Sequence, residues 1–245
     1  MVLNNTRQTL DIAEITTFYE NVSEVWPEND KWHQYSKLMI ENFIQKNQRY
    51  LDNIILNAGS GGNRYGLANK AMVHVDVAEN KIMAFDEYVV SSVENMPFDN
   101  CFFNSCICVG SVINYCDAVK ALSEIFRVLK SNAYFILEYE SSYGYEYIHS
   151  DEYMKAAQVV KANYHDQILK QWVYSPFYIK EILTRIGFRI IKIKRFHIAS
   201  SLIYSYIKNT NKATNYAKLD SFLFLRHLPP FRFHASNEIY LCKRL

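Results

Sequence analysis

Apolar positions along the chain change their spacing near residue 50. Before that point they recur every three or four residues, in two segments separated by Pro27: Leu10, Ile12, Ile15, Phe18 and Tyr19, then Leu38, Met39, Phe43 and Ile44. This recurrence is typical of helices with one buried face. Residues 1–50 are therefore predicted to form an N-terminal helical cap, followed by a second unit that runs from residue 51 to residue 245.

Beyond residue 50, short apolar runs alternate with amphipathic stretches. The runs predict seven strands, at 53–57, 73–76, 88–91, 105–109, 134–139, 188–195 and 238–242. Helices are predicted at 117–129, which carries one apolar face, and from Ser175-Pro176 to Gly187, which has typical start and stop residues. This alternation predicts an α/β fold, with a doubly wound and mostly parallel sheet of about seven strands.

Two segments rich in aromatic residues interrupt the alternation. The first spans 141–175 and is predicted to be helical from Asp151, and the second spans 197–236. Ligands of open α/β sheets bind beyond the carboxyl ends of the strands. We therefore predict that the two segments form a helical lid over that edge, with ordinary helix packing as the alternative role of their aromatic side chains.

Four of the seven glycines lie within eight residues, directly after the first predicted strand: Gly59, Gly61, Gly62 and Gly66. The second predicted strand ends in Asp76. A glycine turn lets the backbone approach a ligand, and an acid at the end of the next strand can accept hydrogen bonds from ribose hydroxyls. The pattern favours a nucleotide-like cofactor. A plain tight turn, and a helix N-cap at Asp76, are the structural alternatives.

Composition narrows the class of partner. The 245 residues are 49% hydrophobic and 21% charged, which is typical of a globular protein. A net charge of +2, without a block of Lys and Arg, argues against nucleic acid as a partner. No run reaches the ~18 apolar residues that cross a bilayer, and residues 1–10 hold no apolar core of a signal peptide. We expect a cytoplasmic protein without a membrane span.

The five cysteines are interpreted as structural. Four of them lie within sixteen residues: Cys101, Cys106, Cys108 and Cys116. They form no paired C-x-x-C, and no His lies between them, so the pattern does not favour a metal site. We expect small buried apolar side chains at most of these positions.

Five further segments are informative when they are taken in order: 57–63 (Asn-Ala-Gly-Ser-Gly-Gly-Asn), 91–98 (Ser-Ser-Val-Glu-Asn-Met-Pro-Phe), Phe103-Asn104, 124–130 (Glu-Ile-Phe-Arg-Val-Leu-Lys) and 182–188 (Ile-Leu-Thr-Arg-Ile-Gly-Phe). In this order and spacing they resemble the class I S-adenosylmethionine-dependent methyltransferases of the small-molecule, type 11 kind. The resemblance covers about 50–140 and 175–195. It implies a Rossmann-like sheet whose last strand is antiparallel, S-adenosylmethionine as the cofactor and a small-molecule acceptor.

The chain departs from this family at polar cofactor contacts and tight turns. The replacements are Asn57 for the first acid, Asn63 for the third glycine, Ser92 for the aspartate on the adenine side, and Ser131-Asn132-Ala133 for Pro-Gly-Gly. Gly59 also lies closer to Asp76 along the chain than is usual in the family, so one turn of the first helix is expected to be missing. Such losses would lower the affinity for the cofactor and leave the fold intact.

The resemblance implies roles for residues around the predicted strand ends. The implied cofactor-binding residues are Asn57, Gly59, Gly61, Asp76, Val77, Val93 and Val109. Asp76 would bind the ribose diol, Val77 and Val93 would flank the adenine, and Val109 would lie beside the reactive methyl group. Each of the valines has core packing as its alternative role.

The expected reaction is an SN2 transfer of a methyl group to an oxygen or nitrogen of a small molecule. A general base is needed only if the acceptor atom carries a proton. Tyr19, Tyr115 and His149 are the candidates for a catalytic role, with His33 and His165 as further pocket candidates.

Two other classes of function stay open. One is a degenerate, non-catalytic subunit with a methyltransferase-like fold. The other is an NAD(P)-dependent oxidoreductase, although Arg64 occupies the position of the third glycine in the Gly-x-Gly-x-x-Gly fingerprint. The sequence does not decide the acceptor, or whether the protein is a monomer or a homodimer.

Overall fold

The computed structural model describes residues 10–52, 54–164, 167–222, 231 and 233–245. The helices in these ranges are α1 (Ile12–Asn21), α2 (Lys31–Asn47), α3 (Glu79–Ile82), α4 (Ala118–Val128), α5 (Pro176–Ile186), α6 (Ala199–Ile207) and α7 (Thr210–Thr214). The strands are β1 (Ile55–Ala58), β2 (Met72–Asp76), β3 (Tyr88–Val90), β4 (Phe103–Cys108), β5 (Leu129–Glu140), β6 (Ala157–Tyr164), β7 (Gln167–Tyr174), β8 (Phe188–Phe196) and β9 (Asn237–Arg244). Among the described helices, none combines the length and the apolar character that a bilayer crossing requires.

Seven of these strands form one sheet, in the order β3-β2-β1-β4-β5-β9-β8. Strands β1 to β5 run parallel, and β9 is antiparallel to both of its neighbours, β5 and β8. This arrangement confirms the predicted doubly wound sheet with an antiparallel last strand. The strand order reverses between β1 and β4, and a crevice for a ligand opens at the carboxyl ends of the strands at such a point.

A side-chain cap is observed at the start of both helices that were predicted from the sequence beyond residue 50. Asp117 Oδ1 accepts a hydrogen bond from Val119 N at 3.0 Å at the start of α4. Ser175 Oγ accepts one from Tyr178 N at 3.1 Å at the start of α5, and this helix ends at Gly187 with a φ of 113°. A capping side chain stabilises a helix by ~1 kcal/mol because it satisfies a backbone N–H that has no partner within the helix.

No helix joins β1 to β2. Residues 59–71, which are all described, form only turns, whereas the sequence predicted the loss of one turn of a helix. The four glycines of this segment all have positive φ, a backbone conformation that an α-helix does not contain. Helix α2 covers this face of the sheet instead, because Ile40 and Ile44 are buried in one core cluster with Ile55 and Leu67.

The prediction of a helix from Asp151 is wrong. Strands β6 and β7 form an antiparallel pair that lies outside the main sheet. Burial alternates along β6, since Val160 and Tyr164 are buried and Lys161 and Asn163 are exposed. This period of two is that of a strand. The second aromatic-rich segment contains α6 and α7, as predicted, and its residues 223–230 and 232 lie outside the described part.

The cysteines agree with the structural interpretation. Cys106, Cys108, Cys116 and Cys242 are buried, Cys101 is exposed, and all five are free thiols. Burial raises the pKa of the Cys106 and Cys108 thiols well above its usual range, so these side chains stay neutral in the core.

Candidate active site

Two cavities lie side by side beyond the carboxyl ends of the parallel strands. The first is lined by the glycine turn after β1 and by residues that follow β2, β3 and β4. The second is lined by the end of β5, by β6 and β7, and by residues of α2 and α6. Four residues line both cavities: Tyr19, Val25, Gly110 and Tyr115. Molecules in the two cavities would therefore face each other at these four residues.

Asp76 ties the end of β2 to the glycine turn. Its Oδ2 accepts a hydrogen bond from Gly61 N at 2.7 Å, and its Oδ1 accepts one from Ala78 N at 3.0 Å. Burial raises the pKa of this carboxyl in spite of both hydrogen bonds. A carboxylate has about four acceptor sites, so each oxygen can still accept a hydrogen bond from a hydroxyl group in the first cavity.

Asn57 lies behind the glycine turn and does not line the first cavity. Its Nδ2 donates hydrogen bonds to the carbonyl oxygen of Asn63 at 2.7 Å and to Ser60 Oγ at 3.2 Å. Ser60 Oγ in turn lies 2.6 Å from His74 Nδ1. Asn57 therefore holds the shape of the turn from inside the core, where it is 1% exposed.

Most of the remaining wall of the first cavity is apolar, although Lys81, Ser91 and Ser92 also line it. Val77, Val93 and Val109 line it, with Val93 and Val109 almost fully buried. Ile12 and Ile15 of α1 line it from the other side. The free volume is about 90 Å³, well below the ~300 to 1,000 Å³ of most small-molecule sites. Helix α1 therefore forms one wall of a small cavity in the observed conformation.

Three glutamates line the second cavity, whose volume is about 310 Å³: Glu138, Glu140 and Glu146. Glu138 and Glu140 lie at the end of β5, two residues apart, so their side chains leave the strand on the same face. Glu146 follows in the segment after β5. Burial raises the pKa of both other carboxyls, and the negative charge of Glu140 raises them further, as expected for acidic groups that share one cavity.

Glu138 is the most enclosed of the three. Its Oε2 accepts hydrogen bonds from Gly110 N at 2.8 Å and Ser111 N at 2.9 Å, and its Oε1 accepts one from Asn237 Nδ2 at 2.8 Å. It is 1% exposed, and burial raises its pKa to about 7. The carboxyl is thus poised to gain or lose a proton near neutral pH.

The other two glutamates are held by neutral donors. Ser111 Oγ donates a hydrogen bond to Glu140 Oε1 at 3.3 Å, and Gln171 Nε2 donates one to Glu140 Oε2. Ser236 Oγ donates one to Glu146 Oε2 at 2.8 Å. Burial raises the pKa of Glu140, and it raises that of Glu146 to about 8.

Tyr19 and Tyr115 meet where the two cavities join. Their ring centroids lie 5.7 Å apart in an edge-to-face arrangement. Burial raises the pKa of both phenols well above the usual range, and nearby Glu140 raises each of them further. Both side chains are therefore neutral at physiological pH. In this form each phenol can donate a hydrogen bond but is a poor proton acceptor.

The structure brings together most of the residues singled out in the sequence, but not all of them. Gly59, Gly61, Asp76, Val77, Val93, Val109, Tyr19 and Tyr115 line the first cavity, and His33 lines the second. His149 is exposed, packs edge-on against Tyr206 and lines neither cavity. His165 lies outside the described residues. The three glutamates were missed, although Glu138-Tyr139-Glu140 at the end of a strand is a readable signal.

Comparisons with known proteins agree with this geometry. A family model described as a methyltransferase domain matches residues 56–137. An uncharacterized protein of Methanocaldococcus jannaschii, MJ1252, is 27% identical over 149 residues, which cover 58% of this chain. The match spans 57% of the length of that relative.

Solved structures with the same fold include proteins of different chemistry. An S-adenosylmethionine-dependent methyltransferase from Archaeoglobus fulgidus superposes with a TM-score of 0.55 and 16% identity, over 85% of this chain and 95% of that one. A 1,6-didemethyltoxoflavin N1-methyltransferase from Burkholderia thailandensis, with S-adenosylhomocysteine bound, gives 0.54 and 12%, over 95% and 86%. The [4+2]-cyclase SpnF gives 0.58 and 12%, over 96% and 97%.

Proposed function

We propose that this protein methylates an oxygen or nitrogen of a small molecule. The premise is that residues 56–137 are a methyltransferase domain of the S-adenosylmethionine-dependent class. The observation that carries the proposal is the meeting of the two cavities at Tyr19, Val25, Gly110 and Tyr115. A methyl donor in the first cavity and an acceptor in the second would face each other there. The second cavity, at about 310 Å³, has the size of a small-molecule site.

S-adenosylmethionine is the cofactor, and the residues of the first cavity fit its adenosyl group. The free acceptor sites of Asp76 suit a ribose diol, and the side chains of Val77 and Val93 suit the faces of an adenine ring. Gly59 and Gly61 line the cavity with bare backbone, which a ligand can approach closely. When bound, the cofactor supplies an electrophilic methyl group on a sulfonium whose leaving group is a neutral thioether.

The protein itself would align the two bound molecules, exclude water from them and accept a proton from the acceptor. Alignment of two bound molecules can supply a large part of the rate of a displacement, because their relative motion is lost on binding. Helix α1 lies over the first cavity, where Ile12 and Ile15 shield it from water. Glu138 and Glu140 in the second cavity are placed to accept a proton from an acceptor molecule, which the neutral phenols of Tyr19 and Tyr115 are not.

Isothermal titration with S-adenosylhomocysteine tests the proposal. We expect a Kd in the micromolar range, about −8 kcal/mol, and no binding of NAD by the same protein. Asp76→Ala should weaken the binding at least tenfold, because a charge-assisted hydrogen bond to the ribose is lost. A matched exposed variant, Glu87→Gln, should bind like the wild type.

A non-catalytic subunit is the rival that this experiment addresses. The replacements at the glycine turn support it, and the cyclase of the same fold is a reminder that fold does not decide chemistry. Absence of binding for both S-adenosylhomocysteine and NAD would overturn the methyltransferase proposal in favour of this rival. Binding of NAD alone would favour an oxidoreductase.

A further inference from the structure

The second cavity brings together three carboxyl groups that form no salt bridge with any residue in the described part of the chain. Within the described residues, no Lys, Arg or His nitrogen lies within 4.0 Å of a carboxylate oxygen of Glu138, Glu140 or Glu146. The cationic groups that line the cavity are His33 from α2, Lys161 from β6 and Lys208 after α6. His33 is paired with Asp30 at 2.7 Å and forms no salt bridge with the three glutamates.

Neither lysine forms a salt bridge with the three glutamates. Lys161 and Lys208 are exposed, and Lys208 Nζ lies over the ring of Tyr204, 5.5 Å from its centroid. Glu138, Glu140 and Glu146 are instead held by backbone N–H groups, hydroxyls and amides, all of them neutral. A buried carboxylate with only neutral partners is costly, because its charge is not compensated. The three carboxyls therefore lack a salt-bridge partner among the described residues.

An independent feature points to a hydrogen-bond donor at the same place. Asn237 is 4% exposed and lines the second cavity, and its Oδ1 is buried without a hydrogen-bond partner among the described residues. In the structure Asn237 presents its NH₂ group to Glu138, the arrangement that the ionised form of that carboxyl requires, and this leaves Oδ1 free. A buried free acceptor costs roughly 1 to 3 kcal/mol unless a ligand donates to it.

Aromatic side chains complete the lining. Trp32, Tyr147, Tyr164 and Tyr204 line the second cavity, and Trp32 is held in place by stacking on His197 with ring centroids 3.8 Å apart. The faces of aromatic rings attract organic cations. No group of three or more His, Cys, Asp or Glu within the described ranges is arranged to hold a metal ion. The charge and the aromatic rings together thus suit an organic cation.

We propose that the acceptor is an amine, which the second cavity takes up as an ammonium ion held by Glu138, Glu140 and Asn237. The N–H groups of the ammonium donate to the two carboxylates and to Asn237 Oδ1, and the aromatic side chains contact its carbon skeleton. This inference rests on the proposed function, because it names the class of acceptor for the same methyl transfer.

The step follows from this placement. Glu140 lies beside the junction of the cavities, because it accepts a hydrogen bond at 3.3 Å from the hydroxyl of Ser111, the residue after Gly110. It accepts one proton from the ammonium nitrogen and so frees the lone pair. That lone pair forms the new C–N bond to the methyl carbon while the C–S bond breaks, and the electron pair of that bond stays on sulfur. The product is a methylated ammonium ion, and the proton leaves Glu140 for solvent.

Paired titrations test the inference. The probes are benzylamine, 2-phenylethylamine and n-butylamine, each compared with the alcohol and the carboxylic acid of the same skeleton. Each probe is titrated into the full chain, with and without saturating S-adenosylhomocysteine. We expect at least one amine to bind ten or more times tighter than its alcohol, and the carboxylic acids not to bind.

Two variants and one control locate the binding. Glu138→Gln and Glu140→Gln should each weaken amine binding at least tenfold and leave S-adenosylhomocysteine binding within twofold of the wild type. The amide that Glu138→Gln introduces would keep the local fit, because it can donate to Oδ1 of Asn237 once the Asn237 amide flips. Glu87→Gln, at an exposed position, should change neither affinity. Retained S-adenosylhomocysteine binding shows that a variant is folded.

Proton release provides a readout that a merely structural role would not change. The carboxyls of Glu138 and Glu146, with pKa values of about 7 and 8, are partly protonated at pH 7. A bound ammonium ion lowers these pKa values, so amine binding should release protons and its enthalpy should depend on the buffer. Alcohol binding should release none, and Glu138→Gln should reduce the release seen with the amine.

The outcomes separate this inference from the proposed function. Alcohols that bind as tightly as their amines, glutamine variants that bind amines like the wild type, or no amine binding to a protein that binds S-adenosylhomocysteine would each overturn the amine inference. Loss of S-adenosylhomocysteine binding alone would overturn the methyltransferase proposal. The amine titrations without that ligand would still report on the second cavity.

Discussion

The side chain of Val112 lies against the bare backbone of Gly59. A Cβ added to Gly59 would come within 2.3 Å of Val112 Cγ2, and the φ of Gly59 is +70°. Val112 belongs to the segment after β4 and Gly59 to the turn after β1, so the contact joins the two sides of the switch point in the sheet. Glycine is required here both for its conformation and for the space that it leaves.

Gly59→Ala should therefore destabilise the protein, by about 1 to 2 kcal/mol for the left-handed backbone and by more for the clash. Denaturant unfolding measures the loss. The double variant Gly59→Ala/Val112→Ala removes the clash and should recover that part when compared with Val112→Ala alone. If the penalty of Gly59→Ala is the same in both backgrounds, the contact with Val112 is not its cause.

Tyr19→Phe and Tyr115→Phe should leave the rate of methyl transfer within about tenfold of the wild type. The raised pKa of each phenol keeps it protonated at neutral pH, so neither serves as the base, and loss of a true general base costs about 10² to 10⁴ in rate. The measurement is kcat with an amine acceptor found by titration. A hundredfold fall in either phenylalanine variant, with S-adenosylhomocysteine binding retained, would return that tyrosine to the role of base.

The free energy of unfolding should fall as the pH rises from 4.5 to about 7. In this range Glu138 is protonated in the folded protein and ionised in the unfolded one. Its folded pKa of about 7 lies above the ordinary value of 4.5, so between these two values the folded state binds more protons than the unfolded state. The free energy of unfolding then falls by at most about 1.4 kcal/mol per pH unit for this group.

Glu138→Gln should therefore be more stable than the wild type at pH 8, by up to about 3 kcal/mol, with a smaller difference at pH 5. Urea unfolding at the two pH values measures this, with Glu87→Gln as the exposed control. A difference between Glu138→Gln and the wild type that does not change between pH 5 and pH 8 would contradict the assigned shift.

Cofactor binding should move helix α1. The first cavity holds a free volume of about 90 Å³ with Ile12 and Ile15 on its wall, which is too small for an adenosyl group on the usual scale of ~300 Å³ or more. We expect the amides of α1 to exchange with solvent faster than those of α4 in the free protein, and to slow on addition of S-adenosylhomocysteine. Hydrogen exchange measures both. Equal protection of α1 with and without the ligand would show that this helix is not the gate.

Regular elements of the main sheet could be predicted from the sequence because their signals are local. Apolar runs mark β1, β2, β4 and β5, an apolar face marks α4, and Ser175 and Gly187 mark the two ends of α5. The pair β6-β7 was missed because aromatic residues in a segment between two recognised elements were interpreted as helix packing. Along β6, the buried residues Val160 and Tyr164 alternate with the exposed residues Lys161 and Asn163. This alternation in burial arises only when β6 is paired with β7.

The candidate site divides in the same way. Gly59, Gly61 and Asp76 could be predicted because the glycine turn and the acid follow successive strands, which bring them to one edge. The second cavity could not be predicted, because its glutamates are held by residues that are distant in the sequence. Glu138 accepts hydrogen bonds from Gly110 and Asn237, and Glu140 accepts one from Gln171. Their raised pKa values arise from burial, which no short stretch of sequence encodes.

A ribosome releases α2 about 190 residues before it releases β9. Both nevertheless bury their apolar side chains in one cluster, where Ile40 and Ile44 from the start of the chain share the core with Ile239 and Leu241 from its end. At the usual speed of translation this interval lasts roughly 10 to 40 s. During this interval part of the apolar face of α2 is uncovered, because the sheet that it packs against is incomplete. The nascent chain therefore exposes this apolar surface to chaperones until β9 joins the sheet.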